Sequence, residues 1–144
     1  MLARELLEEA RRAAVRLEEL TRTIQEGPAK RPSEGPAPKG AVGDPTARGA
    51  EWVCVTLPAL MCELDACGQF VGDAMRLIEG VRKAMGARYA DVLDAYYIGG
   101  LKWQEVGDRL DISAMAAIRR RDVACDWVDA TGFARANAGE GFAE

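Results

Sequence analysis

The chain has 144 residues, 49% of them apolar and 29% charged, with 19 Lys+Arg against 23 Asp+Glu and no histidine. That length and apolar content suit one compact domain with an appendage, not a disordered polymer. The formal charge of −4 excludes a polybasic DNA coat, and the lack of imidazole excludes Ser-His-Asp and Cys-His nucleophiles, two-histidine metal sites and histidine proton relays. Cys54, Cys62, Cys67 and Cys125 form no C-x-x-C pair, so they read as reduced thiols that pack as small hydrophobes. No metal, cofactor or catalytic residue is expected. The first residues are too charged for a secretory signal. No apolar run approaches the roughly 18 residues of a membrane span, and a soluble, cytoplasmic protein without membrane contact is expected.

Residues 2–26 read as one helix, because Leu2, Leu6, Ala10, Ala13, Leu17, Leu20 and Ile24 recur at near-heptad spacing without an internal Gly or Pro. The appended domain organisation is 1–26 heptad helix, 27–50 linker, 51–86 second heptad segment, 87–131 C-terminal helical domain and 132–144 flexible tail. The linker holds five of the six prolines, and its Lys30, Arg31, Lys39 and Arg48 outnumber Glu34 and Asp44. Such a segment cannot bury itself and reads as a solvated tether. The next helix is expected from about Leu57 to Met85 with Thr56 as N-cap. Leu57, Leu60, Leu64, Cys67, Val71, Ala74, Ile78, Val81 and Met85 form its stripe. Two heptad helices imply a coiled coil or a helical hairpin, within one chain or in a homo-oligomer, and the spacing fixes no relative direction.

Beyond Arg88 the elements shorten. Tyr89–Ile98 reads as an amphipathic helix stopped by Gly99 and Gly100, and Trp103–Leu110 as a second helix of two turns. Asp111, Ile112 and Ser113 then form a turn, with Ser113 as N-cap of a helix from Ala114 to about Asp129. Two short helices joined by three residues describe a helix-turn-helix. Gly107 supplies the small residue where they cross, Val106 and Leu110 face inward, Ile112 plugs the turn, and Asp111 tolerates a left-handed backbone.

The run "RYADVLDAYYIGGLKWQEVGDRLDISAMAAIRRRDVACDWV", Arg88 to Val128, resembles the sigma-70 region 4-like helix-turn-helix of phage-encoded transcriptional regulators, the ArpU/RinA-like late-gene regulators. "AYYIGG" before the motif, "LKWQEVGDRL" in its first helix, "IS" at the turn, and Arg119 and Ala124 in the last helix carry the likeness. The upstream layout is similar too: a heptad helix, a Gly/Pro linker with "DPTARGA" (44–50), then another heptad helix. The resemblance implies an all-α fold, binding to double-stranded promoter DNA in a bacterial host cell, and activation of phage late genes, with RNA polymerase as a further partner. Ala114, Met115, Ile118 and Arg119 would face the groove, with Arg119 the best base contact. Arg120 and Arg121 would grip the backbone, and Ser113 and Lys102 would meet phosphate. Ala117 and Arg120 stand at the inward positions of the last helix.

Two other classes compete. The segment from Arg88 to Asp129 has six basic and eight acidic residues, which suits a protein–protein adaptor contacting RNA polymerase or another partner. A phage DNA-packaging subunit would also combine a helix-turn-helix with coiled-coil oligomerisation. An enzyme fits least: Asp91/Asp94 and Asp108/Asp111 lie at helical spacing on solvated faces, and no Gly-rich phosphate loop is present.

Overall fold

The computed structural model describes residues 2–28 and 49–140, and every regular element among them is helical. The tether expected at 27–50 falls mostly on 29–48, outside the described residues, as do the last four residues of the chain. Helix α1 spans Ala3–Glu26, and α2 spans Leu57–Met85. Arg16 of α1 pairs with Glu63 of α2 at 2.7 Å, and Leu17 lies beside Gly68, whereas Ala3, Leu7 and Ala10 share a core with Ala74, Ile78 and Val81. The two helices are therefore antiparallel, the direction that spacing alone leaves open. The Arg16 guanidinium also holds the Glu63 carboxyl below its usual range.

Both stripes differ from expectation where other helices intervene. At the start of α1, Leu7 is fully buried and Leu2 is exposed, because α1 packs there against α5 as well as α2. The Asp129 carboxylate of α5 accepts a 2.7 Å hydrogen bond from the Ala3 N–H, giving an otherwise unpaired helix-start donor a partner. The second helix does not begin at Thr56, which has helical backbone angles and no capping bond. It begins by Gly49 and passes through a wide π-type turn at Trp52–Thr56. Pro58 supplies the reason: without an N–H, and with its ring directed at the preceding turn, it disfavours regular α geometry just upstream. The resulting Gly49–Met85 helix is long and apolar enough, by length and composition, to cross a membrane, and none of its most apolar stretch is buried. The expectation that no stretch approaches that length is corrected, since interspersed charges hide it as an unbroken run.

Helix α3, Ala87–Leu93, continues into a second π-type turn at Asp94–Ile98. Helices α4, Trp103–Leu110, and α5, Ala114–Thr131, follow. The main core joins α1, α2, α3 and α5 around Leu7, Leu77, Leu93, Tyr97 and Val128, while Val92, Ala95, Val106 and Ala117 form a smaller core between α3, α4 and α5. Packing is thus continuous across the 86/87 boundary.

The expected flexible tail is corrected in its first half. Phe133–Ala138 forms a short helix, α6, whose Ala136 is fully buried. Its small residues look like a frayed end in isolation, but Gly80 of α2 provides the slot that receives them. A Cβ added at Gly80 would collide with the Ala136 carbonyl oxygen. Gly80→Ala should therefore undock α6 and cost about 1–3 kcal/mol. Hydrogen exchange resolved by segment checks this: faster exchange at 133–138 is expected, and unchanged protection there would contradict the docking.

Candidate nucleic-acid interface

The turn between α4 and α5 follows from three residues. Asp111 is the one non-glycine residue with positive φ among those described, at φ 59°, ψ 44°. Its N–H and that of Ile112 both donate to the Gly107 carbonyl, the latter at 2.9 Å. This satisfies the end of α4 while reversing the chain. Ser113 caps α5 by accepting a 3.0 Å bond from the Ala116 N–H. Gly107 lets the elements close up, since a Cβ there would lie 2.6 Å from the Ile112 carbonyl oxygen and 3.1 Å from the Ala114 nitrogen. At the other end of α4, Glu105 accepts a 2.9 Å bond from the Lys102 N–H.

Around this turn Lys102, Ser113, Met115 and Arg119 are exposed, Met115 at 58%, while Ala114, Ile118 and Arg120 are half-buried. Arg121 departs from the others. It is 5% exposed, and its guanidinium donates to the Tyr97 hydroxyl at 3.2 Å and to Asp122 at 2.7 Å. The expectation that Arg121 grips a DNA backbone is therefore corrected. So is the inward position, which belongs to Arg121 and not Arg120. The buried line of α5 runs Ala117, Arg121, Ala124 and Val128, a register set by the main core beyond the turn. Burial works against the Arg121 charge, but the bonds to Tyr97 and Asp122 outweigh it and hold the proton more firmly than usual. Burial also pushes the Tyr97 hydroxyl up to about 12 and the Cys125 thiol up to about 12, with the Arg121 charge opposing both.

Residues far apart in sequence complete the support. Tyr96 stacks on Trp103 at 3.8 Å between ring centroids and 8° between planes. The Arg11 guanidinium of α1 lies 4.0 Å from the Tyr96 centroid, and Arg121 lies 5.0 Å from the Trp103 ring. Arg11 also donates to the carbonyls of Tyr96 at 2.5 Å and Leu101 at 3.1 Å. Sequence reasoning missed this arrangement. The paired tyrosines stand out in "AYYIGG", but nothing local links them to Trp103 or to Arg11.

Among the described residues, no group of three His, Cys, Asp or Glu side chains could hold a metal ion. Comparison with protein-family models, characterised proteins and solved structures found no match.

Two outcomes test this geometry. Gly107→Leu should loosen the α4–α5 junction through overpacking, at a cost of about 1–3 kcal/mol, and unchanged thermal stability would contradict the close approach. Stability should also fall in alkali. Tyr97 and Cys125 hold their protons more tightly folded than unfolded, so their contribution is complete below their ordinary values of 10.0 and 9.0 and is lost as pH rises toward about 12. Urea titrations between about pH 8 and about pH 12 should show this decline, with a shallower one in Tyr97→Phe; a flat profile would refute it.

Proposed function

We propose that this chain is a DNA-binding transcriptional regulator of phage or prophage type, acting near promoters through a sigma-70 region 4-like helix-turn-helix formed by α4 and α5. The observation that carries the reading is the junction itself: left-handed Asp111, Ser113 capping α5, and Gly107 against the backbone of the turn. A recognition helix needs a fixed angle to its supporting helix and an open outer face, and Met115 and Arg119 lie on such a face. On this reading α1 and α2 form the helical hairpin suggested by the heptads, and the protein works in the cytoplasm of a bacterial host cell without a catalytic role.

With Arg121 withdrawn, Arg119 and Arg120 remain of the three consecutive arginines, with Lys102 at the start of α4. Two phosphate contacts give a slope of log affinity against log salt of about −1.8 per protomer, and a third about −2.7. Binding on these terms is weak and salt-sensitive. Exposed Asp126 lies two turns beyond Ile118 and Arg119 and repels phosphate, whereas the Asp122 charge is offset by Arg121.

That acidic flank, together with exposed Met115, also favours a second reading, a protein–protein adaptor whose partner presents an apolar contact beside basic groups.

Gel shifts over a salt series, combined with sequencing of retained fragments of host and phage DNA, separate the readings. Arg119→Ala should change which sequences are preferred. Arg120→Ala should weaken all sequences alike and reduce the slope by about 0.9. Arg121→Ala should instead destabilise the fold by about 1–3 kcal/mol, because the buried Tyr97 hydroxyl loses its partner. If Arg119→Ala/Arg120→Ala bound DNA as well as the parent while losing a protein partner, the adaptor would replace the regulator.

A further inference from the structure

Helix α2 carries a second apolar line that α1 borders along one edge, at Leu17, and otherwise leaves open. Leu57, Met61, Leu64, Gly68, Val71 and Met75 recur at spacings of four and three, the repeat of a helix-packing seam. Met61 is 50% exposed and Met75 51%, and Leu64 and Val71 are half-buried. Along this line runs an open groove of about 870 Å³, lined by Met61, Gly68, Gly72, Asp65 and Arg76 of α2 and on its other side by Leu17 of α1.

The glycines in this groove differ from Gly80 and Gly107. At Gly80 and Gly107 the space of the missing side chain is filled by backbone of a neighbouring element. At Gly72 an added Cβ would meet nothing within 4 Å, and at Gly68 only Leu17 Cδ1 at 4.0 Å. Helix interiors disfavour glycine more than any residue except proline, and nothing described within this chain uses the room these two leave. Glycines one turn apart permit close approach of another helix backbone.

Charge identifies the occupant. Asp65 and Arg76 are eleven residues apart, three helical turns or about 16.5 Å, and so lie on nearly the same side of α2. Their midpoint falls at 70–71, and the midpoint of Gly68 and Gly72 falls at 70. A two-fold axis through that point, perpendicular to α2, lays the Gly68–Gly72 segment across its own copy. It also brings each Asp65 to the Arg76 of the second copy, and Met75 over the turn containing Leu64. Arg76 is engaged with Asp73, three residues before it, through one nitrogen of an exposed side chain, which leaves guanidinium donors for a second carboxylate. A single patch that complements itself in both shape and charge is what an isologous interface requires.

We infer that the groove on α2 binds a second copy of this chain, with the two α2 helices antiparallel and crossing at Gly68–Gly72. The inference stands independently of the DNA-binding reading. Sedimentation equilibrium of the full chain tests it. The parent should dimerise. Gly68→Leu and Gly72→Leu should each raise the dimer Kd by about tenfold or more, with helix content by circular dichroism retained. Asp65→Arg and Arg76→Asp should each weaken the dimer similarly, and the double variant should restore it. A parent that stays monomeric, glycine variants that dimerise like the parent, or a charge-swapped double variant that stays dissociated would each overturn the proposal. Partition of the parent into phosphatidylcholine vesicles, abolished by Met61→Asp while sedimentation shows only monomer, would overturn it in favour of a lipid surface.

Discussion

Arg11 supplies what the irregular end of α3 lacks. The end of this helix leaves its last carbonyls without helical partners, and that of Tyr96, with that of Leu101 in the following loop, receives the Arg11 guanidinium instead. The same group lies over Tyr96 while Trp103 stacks 3.8 Å away, so the tyrosine is held between a cation and an indole. Trp103 is the first residue of α4. One side chain on α1 thereby fixes where α3 ends and how α4 begins. Stacking and cation–π contacts each contribute only about 0.5–2 kcal/mol, but stranding the partly buried carbonyls would add a desolvation cost of about 1–3 kcal/mol for each. The start of α4 is therefore tied to α1 through Arg11, while its own Val106, Gly107 and Asp111 fix its junction with α5.

What the sequence disclosed, and what it concealed, follows the range of the interactions involved. Asp111, Ser113 and Gly107 act on residues within a few positions of themselves, and their roles at the turn are legible from residue type and spacing. Arg121 is different. Counting inward positions from the turn leads to Arg120, yet Ala124, Cys125 and Val128 at the far end of α5 set the helix's rotation against α1 and α2. The one-residue error moves a charge from the interior to the open face. Leu7 displaces Leu2 for a similar reason, since the start of α1 answers to two neighbours. Helix α6 was hidden because a run of Ala and Gly has little to bury until Gly80 offers it a matching slot.

Burying Arg121 changes the chemistry available around the turn. Its charge is spent on Tyr97 and Asp122, so two of the three consecutive arginines remain for any partner, against the exposed carboxylate of Asp126. This arrangement also explains how a guanidinium can remain charged in a small core: hydroxyl, carboxylate and aromatic contacts replace water on several sides. An arginine triplet that reads as one functional patch is in fact divided between structure and surface.

The same division makes α5 a shared beam. Ala117 belongs to the small core with Val92 and Val106, whereas Ala124 and Val128 belong to the main core with Leu7 and Leu77. Asp129, near its C-terminal end, caps α1, while Ser113 fixes its N-terminal end at the turn. A helix held in this way has no free hinge along its length, and the face bearing Met115 and Arg119 cannot reorient independently of α1 and α2. Whatever that face contacts therefore meets a surface aimed by the long helices, and the order of the exposed groups is set by the antiparallel pair from which α5 is braced.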